Sequence, residues 1–398
     1  MPENEVDVLI IGAGPAGSTL GYLLASQGVS TAIVDRAAGP EFKIGESLLP
    51  EGVRLCREMG LGEALERGPY LEKFGAQFIL GDDGASDRFC FDEALRPERG
   101  MSAYQVKRKD FDALLQGHAE GAGVRIDWNT KVHEVDFGAD DHVAVRAGGD
   151  TYAARYVVDA SGLSQVVARQ RGESEPRADL QRVALFSHFE GVPRDEGERA
   201  GDIRVIWTEQ GWFWVIPFQD GTTSVGVVGD PESLRVAGQD AQESFDALAG
   251  QGPVHRALLA ERKQLFPVRR MANYASKVEH KTGERYLLLG DASGFLDPIF
   301  STGAFFAQAS AFLARDAILP ALAAGYLPDQ AARSGYEEKI DLAVRRYKSL
   351  IQMFYDRKFM DDVIRSRRRE NIRRALTSLL AGDVFHEENP LLRMGVVA

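Results

Sequence analysis

The first 35 residues place two apolar runs on either side of a glycine-rich turn and an apolar helix. Residues 6–11 are apolar except for Asp7, which is typical of a short buried strand, and a helix is expected over residues 18–25. A second apolar run, residues 29–34, ends at Asp35. This order of strand, turn, helix and strand predicts the start of a parallel α/β sheet.

Further along the chain the hydrophobic period changes to two, which is typical of strands in an antiparallel sheet with one buried face. These strands are expected at residues 75–80, 183–190, 203–208, 212–217 and 224–228. After about residue 319 the pattern becomes helical. We therefore expect an α/β fold in which a Rossmann-like domain is interleaved with an antiparallel sheet and followed by a short helical region.

The domain boundaries follow from the same pattern. The Rossmann-like domain is expected to be discontinuous, over residues 1–75, 100–165 and 279–335. The sheet that would cover the substrate is expected over residues 76–99 and 166–278, and the C-terminal helices over residues 336–398.

Composition narrows the class of protein. With 398 residues, 44% of them hydrophobic, the chain can bury a large core, and a net charge of −12 argues against nucleic-acid binding, which needs a basic surface. Two cysteines, Cys56 and Cys90, provide neither a disulfide framework nor a metal-ligand cluster, so we expect no metal and a cytoplasmic location. We also expect neither a signal peptide nor contact with a membrane, because the N-terminus is acidic and no uncharged apolar run is long enough to span a bilayer.

The glycine-rich turn has the spacing of a dinucleotide fingerprint. Gly12 permits a tight turn, Gly14 lets a pyrophosphate approach the backbone, and Gly17 lets the helix pack closely on the strand. The helix N-terminus favours the phosphate charge, and an acid at the end of the second strand can bind ribose hydroxyls. The dinucleotide contacts predicted from this stretch are Gly12, Gly14, Ala16, Gly17, Asp35 and Arg36.

Four later motifs carry a resemblance to a known family. Gly45-Glu46-Ser47-Leu48-Leu49-Pro50 is similar to a loop that follows the FAD fingerprint in flavin-dependent halogenases and in geranylgeranyl reductases. A Lys-x-Gly-Ala segment at residues 73–76, Trp-x-Trp-x-Ile-Pro at residues 212–217 and Phe-x-x-Pro-x-x-Ser-x-Gly at residues 295–303 are similar to halogenase motifs. Over nearly its whole length the chain resembles the flavin-dependent halogenases, in the branch that acts on phenols, pyrroles or carrier-bound acyl groups.

The resemblance implies an FAD-binding domain of the aromatic hydroxylase type. Because only one dinucleotide fingerprint is present, reduced FAD is expected to come from a separate flavin reductase. The further FAD contacts that the resemblance implies are Glu46, Ser47, Arg108, Asp291 and Gly303.

The resemblance also implies a halide site and a catalytic lysine. Chloride or bromide would bind at the backbone amides of Thr302 and Gly303, where a helix begins. Lys73 would present an electrophilic halogen to the substrate, and burial would lower its pKa into a useful range. The residues implied to line the passage and the substrate site are Trp212, Trp214, Phe295, Pro298, Phe300 and Ser301.

Each of these residues also has a purely structural interpretation, which the sequence leaves open. Lys73 could be a solvated strand end, Arg108 an ordinary surface arginine, and Ser301 a simple helix N-cap. Trp212 and Trp214 share one face of a strand and could be core residues.

The residue before Ser301 bears on the substrate. Tryptophan halogenases carry a glutamate where this chain has Phe300, so free tryptophan is not expected and a small phenol or pyrrole, free or held on an acidic carrier protein, is favoured. This departure leaves the general base that removes the ring proton unassigned.

A run of arginines lies in the predicted C-terminal helices. Its members are Arg365, Arg367, Arg368, Arg369, Arg373 and Arg374. Such a run is typical of a solvated helix face, and an alternative is a docking patch for an acidic carrier protein.

Two other functions remain open at this point. One is a monooxygenase or isoprenoid-type reductase of the same fold that needs no halide, and the other is a catalytically silent flavoprotein that binds a carrier protein. The protein is expected to be a monomer or a homodimer.

Overall fold

The computed structural model describes residues 4–235, 240–365 and 370–393. Within them the strands are β1 (Glu5–Ile11), β2 (Thr31–Val34), β3 (Leu71–Lys73), β4 (Gly75–Leu80), β5 (Ser86–Cys90), β6 (Ala103–Gln105), β7 (Arg125–Asp127), β8 (Val132–Asp136), β9 (Val143–Ala147), β10 (Asp150–Asp159), β11 (Ser174–Pro176), β12 (Val183–Glu190), β13 (Ile203–Thr208), β14 (Gly211–Pro217), β15 (Thr223–Gly229), β16 (Lys263–Gln264), β17 (Arg269–Ala272), β18 (Ser276–Val278), β19 (Tyr286–Leu288) and β20 (Gly294–Phe295).

The described residues also form twelve α-helices. They are α1 (Pro15–Ala25), α2 (Pro50–Glu58), α3 (Gly62–Arg67), α4 (Arg108–Gly121), α5 (Val166–Gln170), α6 (Ala241–Gln251), α7 (Pro253–Leu258), α8 (Thr302–Ala323), α9 (Gln330–Tyr355), α10 (Arg357–Arg365), α11 (Glu370–Leu380) and α12 (Pro390–Arg393). None of them has the length and apolar character needed to cross a bilayer.

The first sheet is built around β1, as the glycine-rich stretch predicts. β1 pairs in parallel with β2 on one side and β10 on the other, and the strand order is β7-β2-β1-β10-β9-β8. The long strand β10 pairs with β9 along its first half and with β19 along its second half. The carboxyl ends of β1, β10 and β19 therefore lie side by side, which is where α/β folds bind dinucleotides.

The second sheet runs in the order β16-β12-β15-β14-β13-β4-β5, with β17 also paired to β12. Most neighbours are antiparallel, as predicted, but β4 and β13 pair in parallel. The prediction of a purely antiparallel sheet is therefore wrong at this pair. Alternation of apolar and polar residues has the same period in parallel and antiparallel strands, so it carries no information about direction.

Helices cover both faces of this second sheet. On one face, Phe213 and Val215 of β14 pack with Phe245 and Leu248 of α6, a helix that the sequence pattern did not predict. On the other face, Trp212, Trp214 and Ile216 pack with residues of α9, α10 and α11. Because both faces are covered, Trp212 to Pro217 are all buried.

Candidate active site

The glycine-rich turn has the shape that a bound pyrophosphate needs. Gly12 has φ +106°, and an added Cβ there would lie 2.5 Å from the carbonyl oxygen of Ala160. An added Cβ on Gly17 would lie 1.9 Å from the Gly12 oxygen, so these two glycines are required by packing. No atom that the structure describes beyond its immediate neighbours lies within 4 Å of an added Cβ on Gly14. Its backbone therefore faces open space at the N-terminus of α1, as a phosphate site requires.

The other residues predicted from this stretch surround the turn. Asp35 accepts hydrogen bonds from the amides of Ala13 (2.7 Å) and Ala37 (2.8 Å), so its carboxylate supports the turn directly. Ala16 is buried in α1 beside Gly290, whose added Cβ would lie 3.5 Å from the Ala16 Cβ. Arg36 is exposed.

Asp291 and Arg108 form the second half of the predicted cofactor site. Arg108 donates to Asp112 at 2.8 and 3.0 Å and to the carbonyl of Ile44 at 2.8 Å, and its side chain is largely buried. The interpretation of Arg108 as a surface arginine is therefore wrong. Helix α4 begins at Arg108 itself.

The Asp291 carboxylate accepts no hydrogen bond from any described residue. Burial raises the pKa of Asp291 to about 6, and the charge of Arg108 partly opposes that shift. A carboxylate without a donor beside an open glycine turn fits the hydroxyl-rich chain of a dinucleotide cofactor. The residues present therefore fit FAD.

Lys73 is buried, with 1% of its surface exposed. Its Nζ donates to the Ser47 Oγ at 2.7 Å and lies 5.4 Å from the centre of the Phe91 ring. Burial lowers the pKa of Lys73 to about 7, and the negative charge of Asp202 partly opposes this shift. The interpretation of Lys73 as a solvated strand end is therefore wrong, and the expected lowering of its pKa is confirmed.

Three short extended segments bring Lys73 and Ser47 together. β3 pairs antiparallel with β6, which places Lys73 opposite Ala103, and Ser47 forms a bridge with Gln105 at the other edge of β6. The two side chains are 26 residues apart in sequence. Their contact exists because β6, from a third part of the chain, lies between their backbones.

Glu46 has a partner that sequence reasoning missed. Its Oε1 lies 2.8 Å from the Nε2 of His188, which belongs to β12, and both side chains are buried. The rings of Phe42, Phe218 and Phe266 surround His188 at centroid distances of 5.1–5.2 Å. This pair joins the Gly-Glu-Ser loop to the second sheet, and only the alternating pattern of β12 hinted that His188 would be held in a sheet.

Trp212 and Trp214 lie on one face of β14, as predicted, with ring centroids 6.1 Å apart. The Trp212 Nε1 donates to the Tyr355 hydroxyl at 2.9 Å, and the Trp214 Nε1 donates to the Ser224 hydroxyl at 3.0 Å. Both side chains are buried in the second-sheet core. Their role in lining a passage stays a prediction, and their burial agrees with the core interpretation.

The loop before α8 contains a buried carboxylate that the sequence did not single out. Asp297 accepts from the Tyr355 hydroxyl at 3.0 Å and from the Ile299 amide at 3.0 Å. Burial raises the pKa of Asp297 to about 6. Together, Trp212, Tyr355 and Asp297 form a chain of hydrogen bonds, which we call the Asp297 network, between the second sheet, α9 and this loop.

The predicted halide residues lie where α8 begins. Ser301 occupies the N-cap position of α8, but it has φ +55° and its side chain makes no capping hydrogen bond. The amides of Thr302 and Gly303 open the first helical turn, where amides have no partner within a helix. The Phe295 Cε2 lies 3.8 Å from the position of an added Cβ on Gly303.

Phe300 lines an apolar cavity. Its ring meets the Phe354 ring edge to face at a centroid distance of 5.8 Å, and both line the cavity together with Phe78 and Phe89. The space open to the centre of a water molecule is about 20 Å³, roughly what one water needs. Pro298, two residues earlier, is half-buried in the same loop.

The described arginines of the C-terminal run, Arg365, Arg373 and Arg374, all contact groups within the chain. Arg365 pairs with Asp83 at 2.6 Å, and Arg373 pairs with Asp87 (2.5 Å) and Glu93 (2.7 Å). Arg374 makes a 3.4 Å contact with the carbonyl of Ala94, and Arg367, Arg368 and Arg369 lie outside the described residues. Arg373 is mostly buried, so the interpretations of the run as a freely solvated face or as a free docking patch are wrong for this residue.

No group of three or more histidine, cysteine, aspartate or glutamate side chains in the described ranges has the arrangement of a metal site. The candidate site consists of Lys73, the Asp297 network, the helix N-terminus of α8 and the dinucleotide turn.

The chain is similar to known proteins over most of its length. The family model described as tryptophan halogenase matches residues 93–381. A 1H-pyrrole-2-carbonyl-(peptidyl-carrier protein) chlorinase from Pseudomonas fluorescens is 29% identical over 381 residues, which cover 89% of this chain and 84% of that protein. The corresponding brominase from Pseudoalteromonas luteoviolacea is 30% identical over 333 residues, which cover 80% of this chain and 78% of the relative.

Among solved structures, a flavoprotein/dehydrogenase from Cytophaga hutchinsonii superposes with a TM-score of 0.90 at 29% identity, covering 99% of this chain and 96% of that chain. The expected α/β fold with a helical C-terminal region is confirmed by this similarity. The family model covers most of the chain, so the resemblance drawn from the four motifs is confirmed as well. The chain belongs to the tryptophan halogenase family, and it is a flavin-dependent halogenase that uses FAD and a halide.

Proposed function

We propose that this enzyme transfers chlorine or bromine to an electron-rich aromatic ring, a phenol or a pyrrole, with the pyrrole held on an acyl or peptidyl carrier protein. The observation that carries the proposal is the buried Lys73 amine, which donates a hydrogen bond to Ser47 at 2.7 Å. Burial lowers the pKa of this amine to about 7. The activities named for the two pyrrole relatives support the substrate class.

The dinucleotide turn, Asp291 and Arg108 are the residues that would hold FAD. When bound in its reduced form, FAD supplies with oxygen the oxidising equivalent that converts a halide into hypohalous acid. The amides of Thr302 and Gly303 would hold the halide by charge–dipole attraction and hydrogen bonding.

Lys73 can act in either of two protonation states, since a pKa of about 7 leaves both populated near neutral pH. As an ammonium, it would hydrogen-bond to hypohalous acid and orient it towards the ring. As an amine, it would attack the halogen, so that an N–X bond forms, the X–O bond breaks and water leaves. The ring then takes the halogen from nitrogen and loses its proton, which restores the amine.

The substrate side of the site is apolar. Phe300 and Phe354 line the narrow cavity, so an aromatic substrate could pack against their rings. The cavity must widen to admit such a ring. Phe300 stands where tryptophan halogenases carry a glutamate, which argues against free tryptophan as the substrate.

Reduced FAD is supplied by a separate flavin reductase in this proposal, because the chain has a single dinucleotide fingerprint. The enzyme would act in the cytoplasm as a monomer or a homodimer.

The test is mass spectrometry of reactions with a flavin reductase, in the presence and absence of bromide, on a carrier-bound pyrrole and on free phenols. We expect a mass shift of one bromine for hydrogen on at least one substrate, and only with bromide present. Halide-independent turnover of these substrates would contradict the proposal.

The structural similarity to the Cytophaga hutchinsonii flavoprotein/dehydrogenase favours a second candidate reaction for this enzyme beside halogenation, an oxidation that does not depend on halide. That candidate gives a dehydrogenated or oxygenated product in both arms of the same experiment.

A further inference from the structure

A second cavity, with about 210 Å³ open to the centre of a water molecule, lies between the small sheet β11-β18-β20 and helix α9. This is many times the 10–15 Å³ that one water needs by the same measure. Its polar walls are Arg177, Lys277, Lys281 and Asp341, and its apolar walls include Phe295 and Leu296. Three cationic side chains therefore face one carboxylate.

The three cations differ in how their charge is balanced. Lys281 is buried and pairs with Asp341 at 2.9 Å, and Lys277 pairs at 2.6 Å with Glu175 at the exposed rim. Arg177 donates its Nε–H to the Ser276 carbonyl at 3.2 Å but forms no ion pair with any described residue. The nearby Asp179 is paired instead with Lys348 at 2.6 Å.

Arg177 therefore carries the unbalanced charge of the cavity. Its burial lowers the pKa of the guanidinium, a shift that carboxylates near it only partly oppose. A half-buried guanidinium with free N–H groups is a ready donor to an anion.

One aromatic ring separates this cavity from the start of α8. Strand β20 pairs with β18, which sets Gly294 opposite Lys277 and Phe295 opposite Ser276. The Phe295 ring lines the cavity, and its Cε2 is the atom that lies closest to the added Cβ position of Gly303. The Phe295 ring thus contacts both the basic cavity and the first turn of α8.

We propose that the cavity between β18, β20 and α9 is a halide-binding antechamber, in which Arg177 and Lys281 hold chloride or bromide before it passes Phe295 to α8. The inference rests on the proposed function, because it assumes that α8 receives the halide. It assigns Phe295 to the wall between two anion sites rather than to contact with the organic substrate.

The first test uses flavin-free protein, so it does not depend on turnover. Crystals soaked in bromide are expected to show an anomalous peak beside the Arg177 guanidinium, and the peak is expected to disappear in Arg177→Gln. Chloride-35 line broadening in solution is expected to give a roughly tenfold weaker affinity for that variant, as for the loss of one charge-assisted hydrogen bond. Arg177→Lys keeps the charge and is expected to retain most of the binding.

The matched control is Arg171→Gln, because Arg171 has a carboxylate partner, Glu173 at 2.9 Å, and does not line the cavity. This variant is expected to bind bromide as the parent protein does. Absence of bromide at Arg177 in the parent crystals, or displacement of bromide by lower concentrations of inorganic phosphate, would overturn the halide assignment.

A kinetic test then separates this inference from the proposed function. With an established substrate, Arg177→Gln is expected to raise the KM for bromide about tenfold, with kcat at saturating bromide unchanged. An unchanged KM would overturn the antechamber even if halogenation is observed. Conversely, bromide binding at Arg177 without any halogenated product would contradict the proposed function and leave the anion site in place.

Discussion

Two buried clusters contain ionisable groups poised near neutral pH, and they differ in how those groups are held. Lys73 has its pKa lowered to about 7, whereas Asp297 has its pKa raised to about 6. Burial is the largest cause of both shifts, because it disfavours whichever form is charged. Burial thus brings the pKa values of a basic and an acidic side chain close to each other.

The hydrogen bonds of the two groups distinguish their roles. Among the described residues Lys73 donates one hydrogen bond, to a serine hydroxyl that can rotate, so its nitrogen can change partner. Asp297 is held by the Ile299 amide and by Tyr355, which is itself held by Trp212. We infer that Lys73 is the reactive group and that Asp297 positions the loop that leads into α8.

The largest expected effect comes from Lys73→Met, which removes the reactive group and keeps the apolar stem. Halogenated product is expected to fall by about 10²–10⁴-fold or more, the range for loss of a catalytic proton-transfer group. FAD binding and hydrogen peroxide release should persist. Mass spectrometry, flavin absorbance and a peroxide assay measure the three quantities.

The matched control for that variant is Lys263→Met, since Lys263 is exposed and pairs with Glu190 at 3.0 Å on the surface. It should retain full halogenation. Product formation by Lys73→Met at the parent rate would show that Lys73 is not the reactive group.

The next effect is on pH dependence. Because the pKa of Lys73 is lowered to about 7, the neutral amine increases as pH rises through this value. If the amine takes the halogen, kcat for halogenation should increase about tenfold between pH 6 and pH 8. A decrease over the same interval would identify the ammonium as the active form and contradict the haloamine step.

A third prediction breaks the Asp297 network without touching Lys73. Tyr355→Phe leaves the Trp212 indole N–H and one Asp297 oxygen without their shared partner, and both side chains are buried. We expect the free energy of unfolding to fall by about 1–3 kcal/mol, the cost of buried groups left unpaired. Urea denaturation followed by fluorescence measures this loss.

Tyr326→Phe is the control for the network, because Tyr326 is 73% exposed. Its unfolding midpoint should match that of the parent. If Tyr355→Phe were equally stable, the three side chains would not act as a connected unit, and the positioning role of Asp297 would lose its support.

The smallest effects are expected outside both clusters. Arg365 is exposed and pairs with Asp83, so Arg365→Gln should leave the melting temperature and the KM for a carrier-bound pyrrole unchanged. Arg373→Gln should have a lower melting temperature than the parent protein, because Arg373 is more buried than Arg365 and pairs with both Asp87 and Glu93. A higher KM in Arg365→Gln alone would restore the docking-patch interpretation for that residue.

Local patterns in the chain were sufficient for much of the fold. The extents of β4, β12 and β13 match the predicted segments residue for residue, because side-chain alternation is a local property of an extended backbone. The glycine turn between β1 and α1 was equally predictable, since its spacing reflects steric needs within one short stretch. Helices α6 and α7, which lie among these strands, were not predicted.

The parts that escaped prediction depend on contacts between distant segments. The Asp297 network joins Trp212 to Tyr355 across 143 residues, and Glu46 meets His188 across 142. No residue near Asp297 in sequence indicates that its side chain is buried or that its pKa is raised. The parallel pairing of β4 with β13 is of the same kind.

The sequence by itself determined the cofactor turn, the extents of the main strands and the residue types from which the halogenase family was recognised. The tertiary structure alone decided that Lys73 is buried against Ser47, that the Asp297 carboxylate is linked to Trp212 through Tyr355 and that most described arginines of the C-terminal run are already paired. The physical reason is that strand period and turn sterics act over a few residues. Burial, and the pKa shifts and charge pairing that follow from it, are set by whichever segments fold against one another.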